Sequence, residues 1–217
     1  MNEAAMEATL QQHAIDFWLN PAAWIHKSWR ETVRRDNMPE LPDAVWHKPA
    51  CSRLLFERFE LEQPENFGFD TPHSRIALLD GESLEKGLLG VAACFHAPSL
   101  ILEVSGERLR QAQDALGGDA FAYARSTEAR IPLAREYAAP FQSRFNSLRI
   151  GLWAAGYGFP DEVQFRRRLR LKLPAELEHE TLPENYDNID AEDARVLSSK
   201  SLSIFTEILA PCPLLAD

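Results

Sequence analysis

From Ala138 to Tyr157 the chain sets its apolar residues at a spacing that a helix gathers onto one side. Phe141, Phe145, Leu148 and Leu152 make one stripe, and Ile150, Trp153 and Tyr157 make a second beside it. Apolar cover around so much of the circumference predicts a central, mostly buried helix, ended by Gly156, Gly158 and Pro160. A chain built around such an element must wrap it with others, and the same period recurs elsewhere. Met6, Leu10, Ala14 and Phe17–Trp18 predict a first amphipathic helix. Asn20-Pro21 is a start signal for a second, with Ile25, Trp29, Thr32 and Val33 on one face and an end before Pro39. Asp80-Gly81-Glu82-Ser83 opens a third with Leu84, Leu88, Val91 and Phe95 inward, and Pro98 is expected just past its end. Further helices are predicted from Ser105 to Gly117, over 119–130, and over 191–209 with Leu197, Ser201, Ile204–Phe205 and Ile208 facing the core.

Two stretches break the pattern. Residues 39–72 carry Pro39, Pro42, Pro49, Pro64 and Pro72, which predicts a long connection holding one helix near 52–59. After a short helix from Asp161, residues 168–173 alternate charge with Leu169, Leu171 and Leu173, a period of two that predicts an extended segment with its leucines inward. The expected fold is mainly α: one compact multi-helix domain over 1–217 with little or no β-sheet. At 217 residues such a domain needs no disulfide or metal for stability. Hydrophobic residues at 45%, with five Trp and twelve Phe, supply the core.

Charge is sorted into two blocks. Gln164 to Lys172 carries five cations, Arg166, Arg167, Arg168, Arg170 and Lys172, and no acid. Residues 174–194 carry eight acids and no Lys or Arg, so this block supplies −8 of the formal −10. The acidity is local. The basic run reads in three ways: a solvated face over a leucine edge, a patch neutralised by the acids downstream, or a docking surface for an acidic partner. Arg forks suit bidentate carboxylate recognition. Trp24, beside the Ile25/Trp29 stripe, reads as core-edge packing or as an interface anchor.

Chemistry finds little purchase. There is no GxxxxGK loop, GxGxxG turn, GxSxG elbow or HExxH helix. His47 and Cys51 lie four apart but straddle Pro49 and supply two of the four ligands a structural zinc needs. Cys94/His96 and Asp70/His73 are likewise pairs without a third member. No catalytic, cofactor or metal residue is assigned. Three widely spaced cysteines and an N-terminus without a signal-like apolar core point to a reducing, cytosolic setting. The longest apolar run, 87–104, is too interrupted to span a membrane, and a pI near 5.1 argues against general nucleic-acid binding.

Three segments, in order, resemble one family. FWLNPAAWIH (17–26), GESLEKGLLGVAACFHA (81–97) and GLWAAGYGFPDEVQFRRRLRLKLP (151–174) are similar to the corresponding stretches of the SctK (YscK/PscK) proteins of bacterial type III secretion systems. The resemblance implies a non-enzymatic cytoplasmic adaptor of the injectisome sorting platform, without cofactor. It would link the cytoplasmic domain of the inner-membrane ring protein, SctD, to the SctQ pods, and through them to SctL and the ATPase. It would sit at the cytoplasmic face of the inner membrane. On this reading the partner-binding candidates are Arg166, Arg167, Arg168, Arg170, Lys172 and Trp24, and charge reversal at Arg167, Arg168 and Arg170 is expected to weaken partner binding in a folded domain. The competing readings are a type III secretion chaperone and a small enzyme with an unrecognised site.

Overall fold

The computed structural model describes residues 3–33, 42–46, 48–63, 69–126, 131–179, 182, 186 and 189–215. Helices follow in the order α1 (Glu3–Leu19), α2 (Pro21–Trp24), α3 (Lys27–Val33), α4 (Asp43–Trp46), α5 (Pro49–Arg58) and α6 (Pro72–Arg75). Then come α7 (Gly81–Leu102), α8 (Gly106–Leu116), α9 (Gly118–Arg125), α10 (Arg144–Gly156), α11 (Val163–Leu171) and α12 (Ala191–Ile208). No strand occurs among the described residues, so the expected mainly α fold holds. The chain gathers into two compact units: Met1–Gly81 with Pro160–Ala175 and Pro213–Asp217, and Glu82–Phe159 with Glu176–Cys212.

The first unit buries aromatic rings of α1 and α11. Phe17 lies edge-on to Trp18 and Phe69 and tilted against Phe165, with centroids 5.2–5.6 Å apart. A second apolar cluster joins Ile25, Trp29, Val33, Trp46, Leu55, Leu61 and Leu171. The helix expected from Pro21 to Pro39 is broken at Ile25–His26 into α2 and α3. There the His26 amide leaves the helical ladder to donate to the Leu171 carbonyl at 2.8 Å. Residues 34–41, where that helix was to end, lie outside the described residues, as do 64–68 of the proline-rich connection.

The expected extended segment at 168–173 is corrected. α11 runs unbroken through Leu171, with Phe165, Arg168, Leu169 and Leu171 buried. The period-two reading assumed that charged side chains face water. Two of these cations instead face inward, so the buried positions follow helical spacing.

In the second unit α7 is the central element. Leu84, Leu88, Val91 and Phe95 are fully buried, and burial continues past Pro98 to Leu100. Pro98 therefore lies inside the helix rather than beyond its end; packing on both sides of it offsets the missing backbone bond. Glycines let other helices close on α7. A Cβ at Gly151 would overlap the Leu88 carbonyl of α7, and one at Gly87 or Gly90 would strike Phe205 or Ile208 of α12.

The helix predicted over 138–157 starts at Arg144. Pro140 and Ser143 explain the late start: Ser143 caps α10 by accepting from the Asn146 amide at 3.0 Å, and residues before it bond to α7. The Ala139 amide donates to Phe95 O at 3.2 Å, and His96 Nδ1 donates to Ala139 O at 2.8 Å. Burial lowers the His96 pKa against the pull of the Ala139 carbonyl, and Nε2 lies 2.9 Å from Ser147 Oγ, whose own proton is donated to Ser143 O at 2.8 Å. The buried face of α10 is also not the aromatic stripe. It is Asn146, Ser147, Leu148, Ile150, Gly151, Ala154 and Ala155, because small residues admit the neighbouring backbone, while Phe145 and Trp153 are half-buried and Tyr157 is exposed.

Candidate functional site

The basic run occupies α11, and the helix splits it. Arg168 and Lys172 lie four residues apart on the inner face and are 0% and 3% exposed, which removes both from any docking surface. Arg166 and Arg170 are exposed and Arg167 is half-exposed.

Arg168 joins three segments of the first unit. Its Nη2 donates to Glu62 O at 2.8 Å and Trp18 O at 3.2 Å, and its Nη1 donates to Gln164 O and Oε1 at 3.3 and 3.1 Å. The guanidinium carbon sits 4.7 Å from the Trp18 ring centroid and 5.5 Å from that of Phe56. Burial pulls its pKa down to about 10 and Glu162 pulls the other way, so the group stays charged at neutral pH. Around it, Gln164 and Arg167 hold the turn after α5. Glu60 adopts a left-handed φ of 49°, and its carbonyl accepts from Arg167 Nη1 at 2.9 Å and Gln164 Nε2 at 3.3 Å. The Glu62 amide donates to Gln164 Oε1 at 2.9 Å.

Lys172 is tied more deeply. Its Nζ donates to Ala77 O and Leu79 O, both at 2.6 Å, and lies 5.5 Å from the ring centroids of Phe17 and Trp24. Burial pushes its pKa down to about 7, with Asp80 opposing. In the unfolded chain the proton is held up to the ordinary lysine value of 10.5. Between pH 7 and 10.5 the unfolded state therefore binds more protons, and this group's contribution makes stability rise with pH. Compared with Lys172→Met, the wild-type chain is expected to gain on the order of 1 kcal/mol of relative stability per pH unit from pH 7 to 10. Denaturant unfolding of both proteins across that range measures it, and a constant difference would refute it.

Trp24 is half-buried and spent on packing. Its ring stacks on Phe17 at 5.5 Å and 18°, and its Nε1 donates to Asp16 O at 2.9 Å. The two outer arginines with described carboxylate partners meet them at the surface: Arg166 with Asp161 at 3.2 Å and Arg167 with Glu60 at 3.5 Å. The charge reversal expected to spare the fold cannot include Arg168.

The acidic block is partly structural. Asp190 caps α12, accepting from the Glu192 and Asp193 amides at 2.9 Å, and Leu177 and Tyr186 are buried. Elsewhere in the first unit, a groove of about 450 Å³ opens between the end of α1 and one face of α5, lined by Leu19, Asn20, Pro49, Ser52, Arg53 and Phe56. The sequence reading does not group these residues: Asn20 enters it as a helix start, Pro49 as a break, and 52–59 as a helix within the connection.

Among the described residues no group of three or more His, Cys, Asp or Glu could hold a metal, and no helix is long and apolar enough to cross a membrane. Cys51, Cys94 and Cys212 form no disulfide among the described residues; His47 lies outside them. These features define a helical protein whose buried polar groups tie the fold together. The model of the family described as YOP proteins translocation protein K (YscK) matches residues 11–215, and the chain belongs to that family, the one its three segments resemble. Its fold is similar to the cytoplasmic domain of the T3SS sorting platform protein PscK from P. aeruginosa, with a TM-score of 0.60 at 24% identity over 92% of this chain and 96% of that one. A search of curated proteins returns no match.

Proposed function

We propose that this chain is a non-enzymatic adaptor of a type III secretion sorting platform, docking the cytoplasmic domain of the ring protein SctD and the pod protein SctQ at the cytoplasmic face of the inner membrane. Family membership over 11–215 carries the reading, and the likeness to a sorting-platform protein supports its place in the machine. The polar interior is consistent with it: His96, Arg168 and Lys172 each satisfy backbone or side-chain partners of their own unit. An acidic partner surface would meet the outer face of α11 at Arg166, Arg167 and Arg170. There, complementary charge speeds encounter and fixes orientation more than it adds affinity.

The test is co-purification of the full chain with both proteins, with crosslinks mapped to residues. A ternary complex is expected, and reversing Arg166, Arg167 and Arg170 together should slow association with one partner and flatten its salt dependence. Failure to hold both proteins at once defeats the adaptor. Intact binding by the triple variant defeats only the α11 assignment.

A further inference from the structure

We infer that the groove between α1 and α5 receives an amphipathic helix of a protein partner, with a carboxylate of that helix on Arg53. The inference rests on the adaptor reading and assigns one of its two docking faces. Pro49, Ser52, Arg53 and Phe56 stand at i, i+3, i+4 and i+7 of α5, one open helix face about 10 Å long, or roughly two turns. Leu19 forms the opposite wall at 39% exposed, and Ile15, one turn earlier on α1, extends the aliphatic strip at 45%. Aliphatic side chains so placed are the anchors that helix-in-groove recognition uses.

The polar atoms decide what fits. Ser52 Oγ donates to Asn20 Oδ1 at 2.8 Å and accepts from the Ala22 amide at 3.3 Å, so Ser52 needs nothing polar from an occupant. Arg53 differs. It is exposed and has neither an ion pair nor a side-chain hydrogen bond among the described residues, whereas Arg166 and Arg167 of α11 have carboxylates at hand. None of the residues lining the groove is acidic, and Lys48, at the N-terminal end of α5, is a second exposed cation. An apolar channel with an unmatched guanidinium fork on its wall complements an apolar helix stripe bearing Asp or Glu.

The experiment uses the full chain as wild type, Leu19→Asp, Arg53→Glu and Arg53→Gln, with the purified SctD cytoplasmic domain and SctQ as probes. Both Leu19→Asp and Arg53→Glu should weaken one of the two partners by about tenfold or more, leave the other unchanged and keep the wild-type melting temperature. Arg53→Gln should lose less, and reversing the matching acid on the partner's helix should restore Arg53→Glu. Wild-type affinity for both probes in every variant overturns the groove and leaves the adaptor standing. Disruption by Leu19→Asp of self-association alone makes the occupant a second copy and overturns it too. A wild-type chain that binds neither probe overturns the adaptor reading and this inference with it.

Discussion

Arg168→Ala is expected to lower the unfolding free energy by about 3–5 kcal/mol, although it removes a charge from the most basic stretch of the chain. The substitution strips donors from the buried carbonyl of Trp18 and from the part-buried bond to Glu62 O, and takes a planar cation from beside the Trp18 and Phe56 rings. The orphaned Trp18 acceptor costs about 1–3 kcal/mol, and the vacated volume and the lost bond to Glu62 add to that. Arg168→Lys should recover less than half, because one ammonium cannot reproduce a fork that reaches four acceptor oxygens in three segments. Arg166→Ala, two residues away and exposed, serves as the comparison and should change stability by less than about 0.5 kcal/mol. Guanidinium unfolding of the three variants decides it: equal losses at 166 and 168 would mean that the inner position is solvated.

The same residue shows where sequence reading stops. Helices with one apolar face and conventional ends were legible: Ser105 caps α8, Gly117 follows its last residue with φ of +84°, and Asp190 caps α12. What misled was the assumption that five cations in nine residues form one surface. On α11 the Arg168/Lys172 pair shares a side with Phe165 and Leu169, and spacing alone contains that alternative. Whether a guanidinium turns inward depends on which carbonyls wait there, and these come from residues 18 and 62, far away in the chain. Lys172 depends in the same way on Ala77 and Leu79. No local pattern encodes those meetings.

The family was legible for a related reason. Its three segments include the residues that make these ties: Phe17, Trp18 and Trp24 in the first, His96 in the second, Arg168 and Lys172 in the third. The α5 wall of the groove, Pro49 to Phe56, lies outside all three, and only Leu19 and Asn20 of its lining fall within the first.

Trp153→Ala carries the other large expected effect, a loss of about 3–5 kcal/mol. Partial exposure of the ring would ordinarily argue for less, but its neighbours argue for more. Trp153 lies 4.3 Å from Tyr186 between ring centroids and 5.7 Å from Phe95, Tyr137 and Tyr157, and its Nε1 donates to Tyr186 O at 3.1 Å. Tyr186 is 1% exposed, its hydroxyl donates to Tyr137 O at 2.7 Å, and burial pushes its pKa up to about 12. Removing the indole thus opens a void beside a buried tyrosine and frees the carbonyl that anchors this point of the acidic stretch. Tyr186→Phe isolates one part of the network and should cost only about 1 kcal/mol, the typical worth of a single hydrogen bond. If the cluster acts as a unit, the double variant should lose less than the two single losses added together. Denaturant unfolding of the three proteins tests both points, and a loss under about 1 kcal/mol for Trp153→Ala would place the indole outside the load it is assigned.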